Sequence, residues 1–370
     1  VCLARTGAAL HPIYSYGGVS VAVSMFSGQQ AQVQLWGARL LRVLLADTTI
    51  RVNSTTHEII ATLVALCSDG STECRDDACA CLLWLCVDSP PARALALDLG
   101  GAPHVISRLQ TPVSDSAQLP TVLVHAVKVT AALSAAEDGR THIAGASAAT
   151  YLVDLLLTLN SLTEHFRKDD EATSASVDAC TLTDLQLSVC IALGNLSALP
   201  AVASSIFSQG GLLAVAELLS SPKEELQSCA LLAIGNMCSN AACREDFVSL
   251  GGLTRTLPFL EPLAREEDRQ SVVGSSESKT QKNGASISVA LLEHAVYVMN
   301  VLSFSETVKD IISGVGGVTL ITQALLSCGR CEQEGRSLPG ASREETESIA
   351  HNLTRLLLAL CEGGHENNWN

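Results

Sequence analysis

The chain has 370 residues, with 38 acidic against 23 basic side chains, a formal net charge of −15 and a mean hydropathy of +0.29. This charge argues against general nucleic-acid binding, which needs a basic face to displace counterions. No run approaches the roughly 20 apolar residues that a membrane span requires, and a single compact core is an awkward fit, because cores stop growing near roughly 250–300 residues. We therefore expect protein partners, no nucleic acid and no membrane span.

The start of the chain and its cysteines bear on processing and compartment. The sequence begins at Val1 without an initiator methionine, which indicates a fragment or a processed product. Most of the 14 cysteines lie in apolar runs with a helical period, where a free cysteine acts as a small hydrophobe. Disulfide scaffolds belong to short secreted chains. We expect reduced, structural cysteines and a cytoplasmic, reducing compartment, including a cytoskeletal or ciliary one.

Helical stretches alternate with glycine turns along the first half of the chain. Apolar side chains recur every three or four positions, which predicts amphipathic helices, over residues 33–46, 55–67, 77–87, 119–135 and 143–159. Glycine pairs at Gly17-Gly18 and Gly100-Gly101 precede shorter helices and lie 83 positions apart. Gly145-Ala146 stands where a later pair is expected.

One pattern is written twice in succession over residues 185–260. A long apolar helix ends near Asn195 in the first copy and near Asn236 in the second, 41 positions later. The glycine pairs that follow begin at Gly210 and Gly251, again 41 positions apart. Periods of roughly 20–50 residues mark solenoids and other repeat arrays.

Polar stretches interrupt this period. We interpret three of them as loops inserted between helices, which leave a stack of repeats intact, at residues 163–184, 264–286 and 329–343. Another copy of the pattern, with Asn300 and Gly316-Gly317, follows the second insert. The last helix is expected over residues 347–360, and 363–370 are predicted to be a frayed tail. We expect one continuous stack over residues 1–370.

These landmarks resemble those of the armadillo repeat family. The shared features are a period of about 42 residues, a long third helix that ends in Asn-Leu-Ser, as at Asn195-Leu196-Ser197, and a Gly-Gly-aliphatic turn before a shorter helix. HEAT repeats, the close structural alternative, lack this glycine turn and asparagine signature. The resemblance covers nearly all of 10–362 and implies an all-α fold, a right-handed α-solenoid (superhelix) of about seven three-helix repeats.

In armadillo families an asparagine ladder holds an extended ligand along the concave face of the third helices. The resemblance therefore implies a partner-binding groove at Asn195, Asn236 and Asn300. The residues four positions earlier lie on the same helix face, and they are Ile191, Leu232 and Val296. A second interpretation is that each asparagine ties down a neighbouring helix end or loop, and that the aliphatic residues are core. Both interpretations stay open at this point.

The companions of these asparagines differ from those of known armadillo peptide readers. Nuclear-import receptors of the family place a tryptophan four residues before each asparagine, and the β-catenin-like branch uses rows of lysine and arginine. Here those positions are aliphatic and few basic residues are near. An apolar groove suits a hydrophobic helix or extended segment of a partner.

No motif indicates an enzyme. The sequence contains no phosphate-binding loop, nucleophile elbow or His-Glu-x-x-His motif. Cys328 and Cys331 have the spacing of a zinc or redox pair, and Cys361 with His365 could complete a zinc site, but nothing in the sequence brings them together. We expect no catalytic residue, no cofactor and no metal.

The predicted function is a non-enzymatic protein-interaction scaffold or adaptor. The alternative is a constitutive structural subunit of a large cytoskeletal assembly such as a ciliary axoneme.

Overall fold

The computed structural model describes residues 9–28, 30–111, 120–168, 179–263 and 288–361. Throughout these ranges the ordered elements are helices, as the sequence predicts. The chain divides into two compact units, residues 1–202 and 203–370. The prediction of one continuous stack over residues 1–370 stays a prediction.

The first unit contains four successive three-helix repeats within its described residues. In chain order its helices are α1 (Leu10–Ser15), α2 (Gly18–Phe26), α3 (Ala31–Leu45), α4 (Thr48–Ser54), α5 (His57–Asp69), α6 (Thr72–Asp88), α7 (Pro90–Asp98), α8 (Gly101–Ile106), α9 (Thr121–Leu133), α10 (Glu137–Gly145), α11 (Ala148–Lys168) and α12 (Ala179–Leu196). The last helix of each triplet packs against the next one, α3 on α6, α6 on α9 and α9 on α12. We call these the third helices.

The second unit holds three more repeats and begins within α13. Its helices are α13 (Pro200–Ser208), α14 (Gly211–Glu217), α15 (Glu224–Cys238), α16 (Ala241–Ser249), α17 (Gly252–Thr256), α18 (Val289–Leu302), α19 (Glu306–Gly314), α20 (Gly317–Gln333) and α21 (Arg343–Cys361). The third helices α15, α18 and α21 pack in that order. The described residues therefore form seven three-helix repeats, which confirms the prediction of about seven.

The core lies along the third helices, which bury side chains against both neighbours. In α6, for example, Ala78, Cys81 and Leu85 are all at most 1% exposed. Small side chains allow this close packing, and burial of each larger apolar one contributes roughly 1.5–3 kcal/mol. Side-chain caps fix where helices begin: Ser71 accepts a bond from the backbone of Cys74 at the start of α6, and Asp47 caps α4.

Left-handed glycines open the second helix of most repeats. The first residue of each Gly-Gly pair has φ between +73° and +82°, at Gly17, Gly100, Gly210, Gly251 and Gly316. Glycine reaches this region at no steric cost. The fourth repeat differs from the sequence expectation, because Ser147 takes the left-handed conformation (φ 59°) instead of Gly145, and α11 begins at Ala148. The sequence places the left-handed residue of this turn at Gly145, but in the structure it lies two positions later, at Ser147.

Replacing Ser147 with glycine is expected to raise the free energy of unfolding by about 0.5–1 kcal/mol. A left-handed L-residue costs roughly 1–2 kcal/mol, and the extra freedom of glycine in the unfolded chain returns part of the gain. Urea unfolding followed by circular dichroism measures the change. The matched control is Ser107→Gly at φ −57°, which should be less stable than wild type. A Ser147→Gly variant no more stable than wild type would contradict the assigned strain.

Two of the predicted inserts are shorter than expected. Helix α11 continues to Lys168 and α12 begins at Ala179, so helix replaces both ends of the predicted loop 163–184. Helix α20 likewise runs to Gln333, which leaves 334–342 between helices. Polar sequence alone does not end a helix, and the single glycine at the start of the second stretch, Gly329, is accommodated inside α20 at a cost of about 1 kcal/mol. The insert at 264–286 and the tail at 363–370 lie outside the described residues.

Candidate partner-binding surface

The three predicted ladder asparagines are half-buried, and each makes a hydrogen bond to a neighbouring third helix or the residue that follows it. In the first unit, Asn195 Nδ2 donates to Ser134 Oγ at 3.0 Å, directly after α9. In the second unit, Asn300 Nδ2 donates to the carbonyls of Val296 at 3.0 Å and Asn352 at 3.2 Å, the latter in α21. These bonds support the interpretation that the asparagines tie neighbouring helices together. That they also hold the main chain of a ligand stays a prediction.

Asn236 is tied by an aromatic side chain. The hydroxyl of Tyr297 in α18 donates to Asn236 Oδ1 at 3.1 Å. The ring lies against Gly235, where a Cβ would come within 2.3 Å of Tyr297 Cε1. Because Gly235 has no side chain, the ring of Tyr297 can pack directly against its backbone and contact α15 from α18.

A half-buried histidine joins the same two helices. His294 Nδ1 in α18 lies 2.8 Å from Ser228 Oγ in α15. Desolvation lowers the pKa of His294 below its usual value, against a smaller opposing effect of the Ser228 hydrogen bond. The side chain is thus neutral at pH 7, and it packs the helix pair without adding charge to it.

The aliphatic residues of the predicted groove divide into two kinds. Ile191 and Leu232 are each 37% exposed on α12 and α15, so they are available to a ligand. Val296 is only 1% exposed, so the expectation that it lines an open groove is wrong. In α18 the residue that faces outward is Tyr297, which lies three positions before Asn300 and not four. An α-helix has 3.6 residues per turn, so the side chains at i−3 and i−4 point to either side of the side chain at i.

The spacing after the asparagine differs in this repeat as well. Asn195 to Gly210 and Asn236 to Gly251 are both 15 positions, whereas Asn300 to Gly316 is 16. The extra residue falls after Asn300, so it does not decide which residue before Asn300 faces outward. Tyr297 is a surface residue that the fixed four-residue rule missed.

A cleft of about 660 Å³ lies between α18 and α21 in the second unit. Such a volume is within the range of ligand and peptide side-chain pockets. The lining residues come from the last turns of α18, the segment after it and the facing side of α21: Tyr297, Asn300, Val301, Ser303, Phe304, His351, Asn352, Arg355, Leu358 and Ala359. Ala359, which the sequence places in the asparagine position of the last repeat, is among them.

The third helices of the first unit present two tryptophans that the groove prediction did not include. Trp36 on α3 is 42% exposed and Trp84 on α6 is 38% exposed. Each has an arginine over its ring at 5.2 Å, Arg39 on Trp36 and Arg51 on Trp84, a contact that cation–π attraction favours. Their rings are therefore partly covered by the chain itself.

An ion-pair cluster joins α3 to α6 beside these rings. The carboxylate of Asp77 is largely buried and lies 2.7 Å from Arg42 Nη1 and 3.5 Å from Arg39 Nε. Arg39 also bonds Glu73 at 3.1 Å. Acidic and basic groups thus neutralise one another on this part of the first unit.

The cysteines are free wherever the structure describes them. Burial raises the pKa of the Cys86 thiol to about 12, so it is protonated and unreactive at pH 7. Cys328 is buried, Cys331 is half-buried and Cys361 is exposed, while His365 lies outside the described residues. In the described ranges no three His, Cys, Asp or Glu side chains are grouped to hold a metal ion. The compartment stays a prediction.

None of the described helices is, taken singly, both long and apolar enough to cross a membrane, although three bent helix pairs pass the same test of length and composition.

Comparison with known proteins identifies the fold. No family model matches the chain, and no curated protein matches it by sequence. Among solved structures, a designed armadillo repeat protein in complex with the peptide (KR)4 is 14% identical, with a TM-score of 0.52 over 80% of this chain and 99% of that one. UNC-45 from Drosophila melanogaster gives 0.63 at 13% identity, over 95% and 37% of the two chains.

A third similar structure comes from work on a phosphorylation switch that controls the interaction between cadherin and beta-catenin. It is 14% identical, with a TM-score of 0.61 over 96% of this chain and 62% of that one. At these identities the likeness concerns the fold. The chain has an armadillo-like, all-α repeat fold of the solenoid class, as its helix triplets and glycine turns already indicate.

Proposed function

We propose that this protein is a non-enzymatic protein-interaction scaffold or adaptor that binds an extended or helical segment of a partner on its third helices. The observation that carries this proposal is the exposure of large apolar side chains there in both units. Trp36, Trp84 and Ile191 are exposed in the first unit and Leu232 and Leu358 in the second. Exposed apolar surface is typical of interaction sites, and here it recurs on the third helices of each unit.

The similar structures support the same class of function. One holds a bound peptide, and another belongs to work on the cadherin and beta-catenin interaction. The alternative function, a constitutive subunit of a cytoskeletal assembly, rests on the neutral, aliphatic groove and on the expectation of ordered polar inserts. The insert at 264–286 and the central part of 163–184 lie outside the described residues, so nothing in the structure favours that alternative over the scaffold.

The test is a selection of random peptides by display on the intact chain, followed by binding to surface variants. We expect Ile191→Glu or Leu232→Glu to weaken selected peptides by roughly tenfold, because a carboxylate on an apolar contact must be desolvated. Asparagine variants are less useful, since their bonds join helices. Fluorescence anisotropy with labelled peptides measures the affinity.

The matched control is Leu250→Glu. Leu250 is 41% exposed, close to the value of Leu232, but it lies between α16 and α17 and away from the third helices. It should leave binding unchanged. The proposal would be contradicted if no peptide were enriched, or if selected peptides bound every third-helix variant as tightly as wild type.

A further inference from the structure

The cleft between α18 and α21 has an unusual charge for this protein. The whole chain carries a net charge of −15, yet the described residues that line the cleft include Arg355 and His351 and no acidic side chain. Within the described part of α21, Glu347 lies one turn before His351, and its carboxylate bonds Arg343 Nε at 2.8 Å. The cleft is thus a locally basic site on an acidic protein.

Arg355 lacks a partner that other exposed arginines have. The exposed Arg42 and Arg343 lie 2.7 Å and 2.8 Å from a carboxylate oxygen, and the buried Arg51 lies 3.0 Å from one. Arg355 makes no ion pair and no hydrogen bond with any residue that the structure describes. Its guanidinium can therefore accept an anionic group without first breaking an internal pair, and guanidinium matches carboxylate geometry with two parallel bonds.

Apolar surface lies beside this cation. Phe304 is 62% exposed and Leu358 is 55% exposed, and both line the cleft together with the half-buried ring of Tyr297. A bound apolar side chain would remove these three groups from water, which favours association. The cleft therefore combines apolar surface with the guanidinium of Arg355, which has no partner among the residues that the structure describes.

The cleft also offers amide groups for a peptide main chain. Asn352 uses its carbonyl to accept from Asn300, while its side-chain amide makes no hydrogen bond within the described part of the chain. A side-chain amide both donates and accepts, so it can pair with one peptide unit. This amide is therefore available to the backbone of an extended segment.

We infer that this cleft binds a short acidic linear segment of a partner protein, in which an aspartate or glutamate stands next to an aromatic or aliphatic residue. The inference rests on the proposed function and adds the chemistry of the ligand at one place. The carboxylate pairs with Arg355, and the apolar residue contacts Phe304 and Leu358. The chain's net negative charge repels acidic peptides in general, so a preference for them has to come from a local basic site.

The experiment is a display selection of random twelve-residue peptides on the wild-type chain and, in parallel, on Arg355→Glu. The wild type is expected to enrich peptides with acidic residues beside apolar ones. Arg355→Glu is expected to weaken the best acidic peptide by roughly 5–20-fold and to enrich lysine- or arginine-containing peptides in its own selection. A merely structural role of Arg355 would not reverse the charge preference.

Matched variants separate the cleft from general surface effects. Arg343→Glu makes the same charge change in the first turn of the same helix and should leave binding within about twofold, since an exposed charge away from the contact is screened. Phe304→Ala should weaken the acidic peptide by roughly tenfold, whereas Leu326→Ala, an equally apolar change at a residue 52% exposed outside the cleft, should not. Arg355→Lys should retain the acidic preference.

Other outcomes would overturn the inference in distinguishable ways. The enriched peptides could lack acidic residues. They could also bind Arg355→Glu and Phe304→Ala as tightly as wild type but fail to bind Ile191→Glu or Leu232→Glu. Either result would be consistent with the scaffold function and would contradict the cleft as its acidic-peptide site. Absence of any enriched peptide would remove both proposals. Sedimentation could show that the pure chain self-associates and that Arg355→Glu abolishes this association. The occupant of the cleft would then be a second copy of the chain, and the assignment to a partner protein would be wrong.

Discussion

Replacing Phe247 with alanine is expected to lower the free energy of unfolding of the second unit by about 3–5 kcal/mol. The ring is fully buried between α16 and its neighbours. It fills the space left by Gly252, where a Cβ would stand 2.4 Å from Phe247 Cε1. Small domains have only about 5–15 kcal/mol of stability in total, so this loss should unfold part of the unit at 37 °C.

Hydrogen exchange measured by mass spectrometry locates the effect. Amides in α16 and α17 should exchange much faster in Phe247→Ala, because repeat proteins transmit stability mainly between adjacent repeats. The control is Phe304→Ala, which removes the same atoms from a side chain 62% exposed and should change stability by no more than about 0.5 kcal/mol. Equal losses in the two variants would contradict the packing assigned to Phe247.

The repeat architecture could be predicted because its signals are local. A glycine pair with a left-handed first residue ends one helix and starts the next, and the apolar period of each third helix is visible within a single window. Both features can be recognised without knowing which residues pack against them. The exception is Ser147, whose left-handed backbone is imposed by the flanking helices and has no counterpart in composition.

The candidate site was harder to predict because it depends on contacts between repeats. A rule of four residues before each asparagine located Ile191 and Leu232 correctly as exposed, but it chose the buried Val296 over Tyr297. The orientation of Tyr297 is decided by Gly235, which lies 62 positions earlier. Arg355 and His351 were not predicted at all, since the last repeat has Ala359 in the asparagine position.

Replacing Gly235 with alanine is expected to destabilise the second unit by about 1–3 kcal/mol, although alanine favours a helix over glycine by about 0.8–1 kcal/mol. The new Cβ would lie 2.3 Å from Tyr297 Cε1 and 2.5 Å from Cδ1. The ring cannot move away without losing its bond to Asn236. Because Tyr297 also lines the cleft, the same variant should weaken binding of an acidic peptide there.

A double-mutant cycle measures this contact directly, because the sign of the effect should reverse. With Tyr297→Ala already in place there is room for the methyl group, so adding Gly235→Ala should then stabilise the unit by up to about 1 kcal/mol. Gly329→Ala is the control: this glycine lies inside α20 with no atom within 4 Å of its added Cβ, and it should stabilise in either background. Equal destabilisation by Gly235→Ala with and without the tyrosine ring would contradict this explanation. The ring would then not be what requires a glycine at position 235, and packing between α15 and α18 would not determine the shape of the cleft.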